Sequence, residues 1–339
     1  MTRLKFQSLT AILITAAIFL AATASSQTPS TISHPPLEPP PYWAYAVDPP
    51  ASAAEAGAKP DDSASLHISG TKISFTRSQV HDFFNIPDWH PSAHPPMPQI
   101  VAHGRPPEVY ACGYCHLPNG QGRPENSSLA GLPATYIVQQ LADFKSGARK
   151  SSDPDLKPVS SMIANETKIT GAEIQIAAAY FAALKPKPWI RVVEAKFVPK
   201  THVAGWMLVV STPHEVESIG DRIIEIPENL ERTELRDDSS GFIAYVPPGS
   251  LKRGHALVTT GGANARTIIC STCHGPNLKG LKDVPSIAGR SPSYIVRQLY
   301  DMHSGARAGA SGQQMKPVVA NLSLFDIIDI AAYISSLSP

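Results

Sequence analysis

Residues His116 to Arg149 are repeated as His274 to Arg307. Without a gap, HLPNGQGRPENSSLAGLPATYIVQQLADFKSGAR and HGPNLKGLKDVPSIAGRSPSYIVRQLYDMHSGAR are identical at 17 of 34 positions. Agreement of that extent in one register means that the same supersecondary unit is built twice, and any fold for the chain has to accommodate both copies. After five extra residues in the first copy the register resumes, bringing Met162 onto Met315 and Tyr180 onto Tyr333.

Each copy is helical by pattern. In the second, Ser291-Pro292 supplies an N-cap and first turn, Ile295, Leu299 and Met302 fall on one face, and Gly305 closes the helix. Ile137, Leu141 and Phe144 repeat the stripe. Thr170 with Glu173, and more weakly Ser323 with Asp326, form capping boxes for a last helix in each copy. Between the copies, β-branched runs such as HVAGWMLVV and GFIAYV indicate a small β-rich insert. At the start, Arg3 and Lys5 lead an apolar run and then small residues, as in an export signal cleaved after Ala24; an uncleaved anchor is the alternative. The expected order is a signal peptide over 1–24, a Pro-rich tether or linker over 25–83, a first helical domain over 84–188, the insert over 189–250 and a second helical domain over 251–339.

The chain contains four cysteines, all within Cys112-Gly113-Tyr114-Cys115-His116 and Cys270-Ser271-Thr272-Cys273-His274. Both are CxxCH, the spacing at which two thiols capture the two vinyl groups of a haem and the next residue reaches the iron. His116 and His274 are thus candidate proximal ligands, and two covalent haem c groups are the expected cofactors. A thiol-redox pair would call for a βαβ context, and a zinc ribbon for a much shorter loop than the one between Cys115 and Cys270. Met162 and Met315, matched in register, are candidate sixth ligands. A rival register lays Leu156-Lys157-Pro158-Val159 on Met315-Lys316-Pro317-Val318 and would turn a leucine toward the first iron. His90, His94 and Met97 lie close enough before Cys112 to compete for that iron. Tyr136, Arg149, Tyr294 and Arg307 are duplicated polar groups suited to haem propionates; the alternative is a packed aromatic and an exposed arginine.

These motifs resemble class I cytochromes c: CxxCH, a G-x-x-x-Y-I-x-x-Q-L helix, a ligand methionine and a closing aliphatic helix. The tandem arrangement is similar to the two-haem cytochromes c of the c-four type. The resemblance covers both copies, about half of the chain, and implies a mainly α fold of two haem domains, here joined by the insert, with electron transfer as the activity. The family has a proline eleven residues after the haem histidine whose carbonyl orients the imidazole. Pro285 matches, but Ser127 stands in the first copy.

The expected function is a periplasmic one-electron carrier, not an enzyme, working between a redox-protein donor and acceptor such as a membrane-bound oxidase, reductase or dehydrogenase. A two-haem peroxidase, or a cytochrome subunit of a larger dehydrogenase or oxidase, is the alternative. The membrane is a partner only if the signal segment is retained. A net charge of +1, with no basic run interleaved with aromatics, argues against nucleic acid.

Overall fold

The computed structural model describes residues 1–2, 39–50 and 62–339. The expected export signal lies, past its second residue, outside the described residues. The chain divides into two units, Met1–Pro35 and Pro36–Pro339, and every element below belongs to the second. No single helix among the described residues is long and apolar enough to cross a membrane.

An arm comes first. It holds the hairpin β1 (Ser65–His67) and β2 (Ser74–Thr76), then the single turns α1 (Arg77–Val80) and α2 (Gln99–Ala102). The first copy follows as α3 (Cys112–His116), α4 (Ala134–Lys145), α5 (Lys157–Glu166) and α6 (Gly171–Ala183). The region between the copies carries β3 (Ile190–Glu194), β4 (Phe197–Pro199), β5 (Thr201–Ala204), β6 (Met207–Val210), β7 (Val216–Ser218), β8 (Ile224–Pro227), α7 (Leu230–Glu234) and β9 (Phe242–Val246). The second copy has α8 (Ser250–Thr260), α9 (Ser271–His274), α10 (Pro292–Ser304), α11 (Ala310–Val319) and α12 (Leu324–Ser336).

The duplicated residues build duplicated geometry. Ser291 caps α10, and Gly305 ends it at φ 86°, a left-handed conformation that favours glycine. Thr170–Glu173 and Ser323–Asp326 are both complete capping boxes, so the aspartate serves as fully as the glutamate. In each copy the loop after the haem motif folds back through one backbone bond, Gly122 N–H to His116 O and Gly280 N–H to His274 O. The copies differ at their starts. The second opens with the eleven-residue α8, crossing α12 so closely at Gly254 that a Cβ there would sit 1.9 Å from Asp329 O. The first has only the one-turn α2 in that place.

The segment between the copies forms a three-stranded sheet in the order β3-β9-β8, with β3 parallel and β8 antiparallel to β9, and two ribbons, β4 with β7 and β5 with β6. It docks on the second copy through Glu225 of β8, a buried carboxylate that accepts from Ser291 Oγ and Ser293 N at the start of α10. Carboxylates favour that end of a helix.

The described parts of the segment expected as a tether are packed. Trp43, Ala44 and Tyr45 are buried in the second copy's core, where Tyr45 donates to Asp301 Oδ1 at 2.7 Å. Ile68, Val80 and Trp89 of the arm form a small core with Leu235. Aromatic burial here outweighs the extended preference of the surrounding prolines.

Two candidate haem sites

Each CxxCH occupies one helical turn. Cys112 borders the core formed by α4 and α6, while Cys270 borders the core of the second copy. The thiols of the two copies thus belong to separate sites, which removes the ribbon reading. Burial pushes the Cys112 thiol up to about 12 and that of Cys270 up to about 11. A reactive or metal-bound thiol needs the opposite shift.

The histidines of the two motifs are arranged alike. His116 Nδ1 lies 2.8 Å from Ser127 O, and His274 Nδ1 lies 2.8 Å from Pro285 O. A carbonyl is an obligate acceptor, so Nδ1 carries the proton and Nε2 keeps its lone pair for a metal. Burial holds both imidazoles below their ordinary value, the carbonyl bonds opposing. The missing proline at 127 costs nothing in geometry, because the backbone supplies the acceptor.

A cavity opens beside Cys112, Cys115 and His116. Leu132, Ile137, Leu141, Phe144, Leu156 and Phe181 give it apolar walls, and Met162 faces the same space. Met162 is the sixth of ten residues in α5, and Met315 is the sixth of ten in α11. The rival register does not share that equivalence: Pro158 stands in the first turn of α5, whereas Pro317 is eighth in α11. Leu156 nevertheless lines the cavity, 1% exposed. His90, His94 and Met97 do not line it; the two imidazoles face carboxylates instead.

Tyr136, Arg149, Tyr294 and Arg307 meet at the seam between the copies, and the arginines are buried rather than exposed. Arg149 donates to Gln140 Oε1 of its own copy and to Tyr294 Oη and Gln298 Oε1 of the other, at 2.9, 3.0 and 3.1 Å. Arg307 reciprocates with Gln298 Oε1 at 2.9 Å, Tyr136 Oη at 2.8 Å and Gln140 Oε1 at 2.7 Å. The backbones follow the same symmetry: Lys150 N–H donates to Ala306 O, and Ala308 N–H to Ala148 O. Neither guanidinium has a carboxylate within ion-pair distance among the described residues. Two buried positive charges on neutral acceptors call for an anion. Tyr136, Arg149 and Tyr294 also line the first cavity. Thiols, a free imidazole nitrogen, apolar walls and unpaired arginines together fit a group that is flat, apolar and edged with carboxylates, as haem is.

The sequence reading missed Gln140 and Gln298, whose alignment in the repeat was the available signal. It also missed Glu166, the last residue of α5, which is 1% exposed, lines the first cavity and leaves Oε2 without a hydrogen-bond partner. Its counterpart is Val319, so only comparison of the copies singles it out.

The fold and sites define a two-haem cytochrome c made by tandem duplication. No protein-family profile matches the chain. It is 31% identical over 151 residues to cytochrome c4 of Pseudomonas aeruginosa, covering 41% of this chain and 75% of that one. Cytochrome c-552 of Acidithiobacillus ferridurans is 34% identical over 120 residues, 33% of this chain and about half, 51%, of its own length. The thiosulfate dehydrogenase electron acceptor of Thiomonas intermedia is 26% identical over 208 residues, 60% of this chain and 68% of that one. Among solved structures, cytochrome c4 of Acidithiobacillus ferrooxidans aligns at 22% identity over 67% of this chain and 98% of that one, with a TM-score of 0.44. The chain belongs to the cytochrome c4 family of dihaem class I cytochromes and carries two covalently bound haem c groups.

Proposed function

We propose that the protein is a periplasmic electron relay in which both irons have histidine and methionine ligands, handing single electrons from a dehydrogenase-type donor to an acceptor protein. The haems would be attached through Cys112 and Cys115, and through Cys270 and Cys273. Bound haem supplies one-electron chemistry, and thioether sulfur raises its reduction potential. The chain's residues would orient the imidazoles, exclude water from the first cavity through its apolar walls and hold the propionates through Arg149, Arg307, Tyr136 and Tyr294. The observation that carries the reading is the equal placement of Met162 and Met315 on α5 and α11. A peroxidase needs one open iron, and two matched methionines argue against that. A relative named as an electron acceptor of thiosulfate dehydrogenase supports a dehydrogenase as donor class.

The two thioether edges differ in exposure. In the second copy Ile268, Ile269 and Leu281 are 45%, 39% and 49% exposed around Cys273, with Lys279 and Lys282 beside them. At the aligned positions of the first copy, Ala111 is 1% and Arg123 7% exposed. There Phe83 of the arm lies 4.3 Å from the Tyr114 ring, and the Arg236 guanidinium lies 3.6 Å over it. A partner with an acidic face docks at the second haem, and the first communicates through the seam. This suits the second copy's seven basic and four acidic residues over 254–339.

Visible spectra of the purified protein test the ligation. The ferric form should show the weak far-red band of methionine-bound haem at an intensity for two sites, unchanged by carbon monoxide or peroxide. One high-spin or ligand-accepting haem would overturn the reading.

A further inference from the structure

Away from the haem sites, arm and insert meet at a cluster of imidazoles and carboxylates. His90 Nε2 lies 3.0 Å from Asp237 Oδ1 and 3.9 Å from Asp238 Oδ1. One ligand atom from each of these residues lies within 4.8 Å of the others. The Asp237 and Asp238 side chains are 0% and 4% exposed. Asp237 is well partnered: Oδ1 accepts from Ser239 N and Oγ, and Oδ2 faces Arg232 Nε at 2.5 Å.

Asp238 is not. Its Oδ1 has no hydrogen-bond partner and is turned toward His90. A buried carboxylate oxygen left in that state is costly unless a cation or proton reaches it. Beside the cluster, His94 Nε2 lies 3.2 Å from Asp88 Oδ1, so three carboxylates and two imidazoles share the region. A cavity of about 500 Å³, lined by His90, Asp238, Asn119 and Glu228, opens onto the cluster and provides an entry path.

We propose that His90 Nε2, Asp237 Oδ1 and Asp238 Oδ1 bind one divalent ion of the zinc class, with water from the cavity in the fourth position. One imidazole and two carboxylates are a suitable donor set. In a tetrahedron with bonds of about 2.0–2.2 Å, ligand atoms stand roughly 3.3 Å apart, near the 3.0 and 3.9 Å found without the ion. The ion's role is structural. His90 belongs to the arm and the aspartates to the insert, and these two elements cover the first haem's edge, so the ion clips the cover shut. Because it binds the folded arrangement, it also stabilises that arrangement.

The test uses the full two-haem protein, stripped with a chelator and titrated with zinc chloride in a calorimeter, with bound metal counted after gel filtration. One equivalent should bind, and the thermal midpoint should rise. Asp238→Asn and His90→Gln should each weaken binding by about tenfold or more, while His202→Gln, an exposed histidine elsewhere in the insert, should leave it unchanged. An unaltered haem spectrum in every variant shows that the fold is intact. Failure to bind one equivalent, or binding that both cluster variants leave unaltered, would overturn the proposal.

Discussion

One hydrogen bond settles what each motif imidazole can offer: with Nδ1 held by Ser127 O or Pro285 O, Nε2 is the atom left for the proposed bond to iron. The methionine side is where the two registers make different predictions. Met162→Ala and Met315→Ala should each remove half of the far-red band, whereas Leu156→Ala should keep the band and cost about 2–5 kcal/mol in unfolding free energy. Glu166, aligned with Val319 of the second copy, should give the first site a pH response of its own. Burial raises its carboxyl, with Lys145 opposing. Reducing the haem removes one positive charge nearby, which raises the carboxyl further and draws in a proton, so the first potential should fall as pH rises through that raised range. Redox titrations across pH should find the slope in one haem only and lose it in Glu166→Gln. The CxxCH motifs stand out in sequence because covalent attachment of haem demands fixed spacing. Glu166 was not, since burial is invisible in a chain that carries many exposed glutamates.

Helix ends and crossings explain why the copies stay alike. Each last helix starts at a capping box, and these were readable because capping is local chemistry. The crossing of α8 and α12 is not local. Gly254→Ala would drive a Cβ into Asp329 O, parting the helices that anchor the second copy, and should destabilise it by about 1–3 kcal/mol while the first haem's spectrum stays intact. Thermal melts followed at the haem band would register this. The described parts of the segment expected as a tether over 25–83 pack through contacts that the sequence pattern does not mark. Prolines are frequent around them, but Trp43 and Tyr45 are buried in the second copy's core, more than a hundred positions away, a relation that no local pattern carries.

For the whole molecule, repetition announced two copies but not how they face each other, because the bonds that join them run between residues of different copies, Arg149 to Tyr294 and Arg307 to Tyr136. The asymmetry between edges also arises at this scale. Ile269→Asp and Leu281→Glu should slow reduction or oxidation by an acidic partner protein in stopped-flow mixing, whereas Tyr114→Phe, under the cover of the first edge, should not. The seam has a bearing on ancestry and assembly. Arg149 reaches Tyr294 as Arg307 reaches Tyr136, so each residue meets its opposite number's neighbour, which is the rule of an isologous contact between identical subunits. Fusing both halves in one chain makes that dimer contact permanent and independent of concentration. Within one chain the two halves need not stay identical, and here one carries a buried glutamate where the other has Val319.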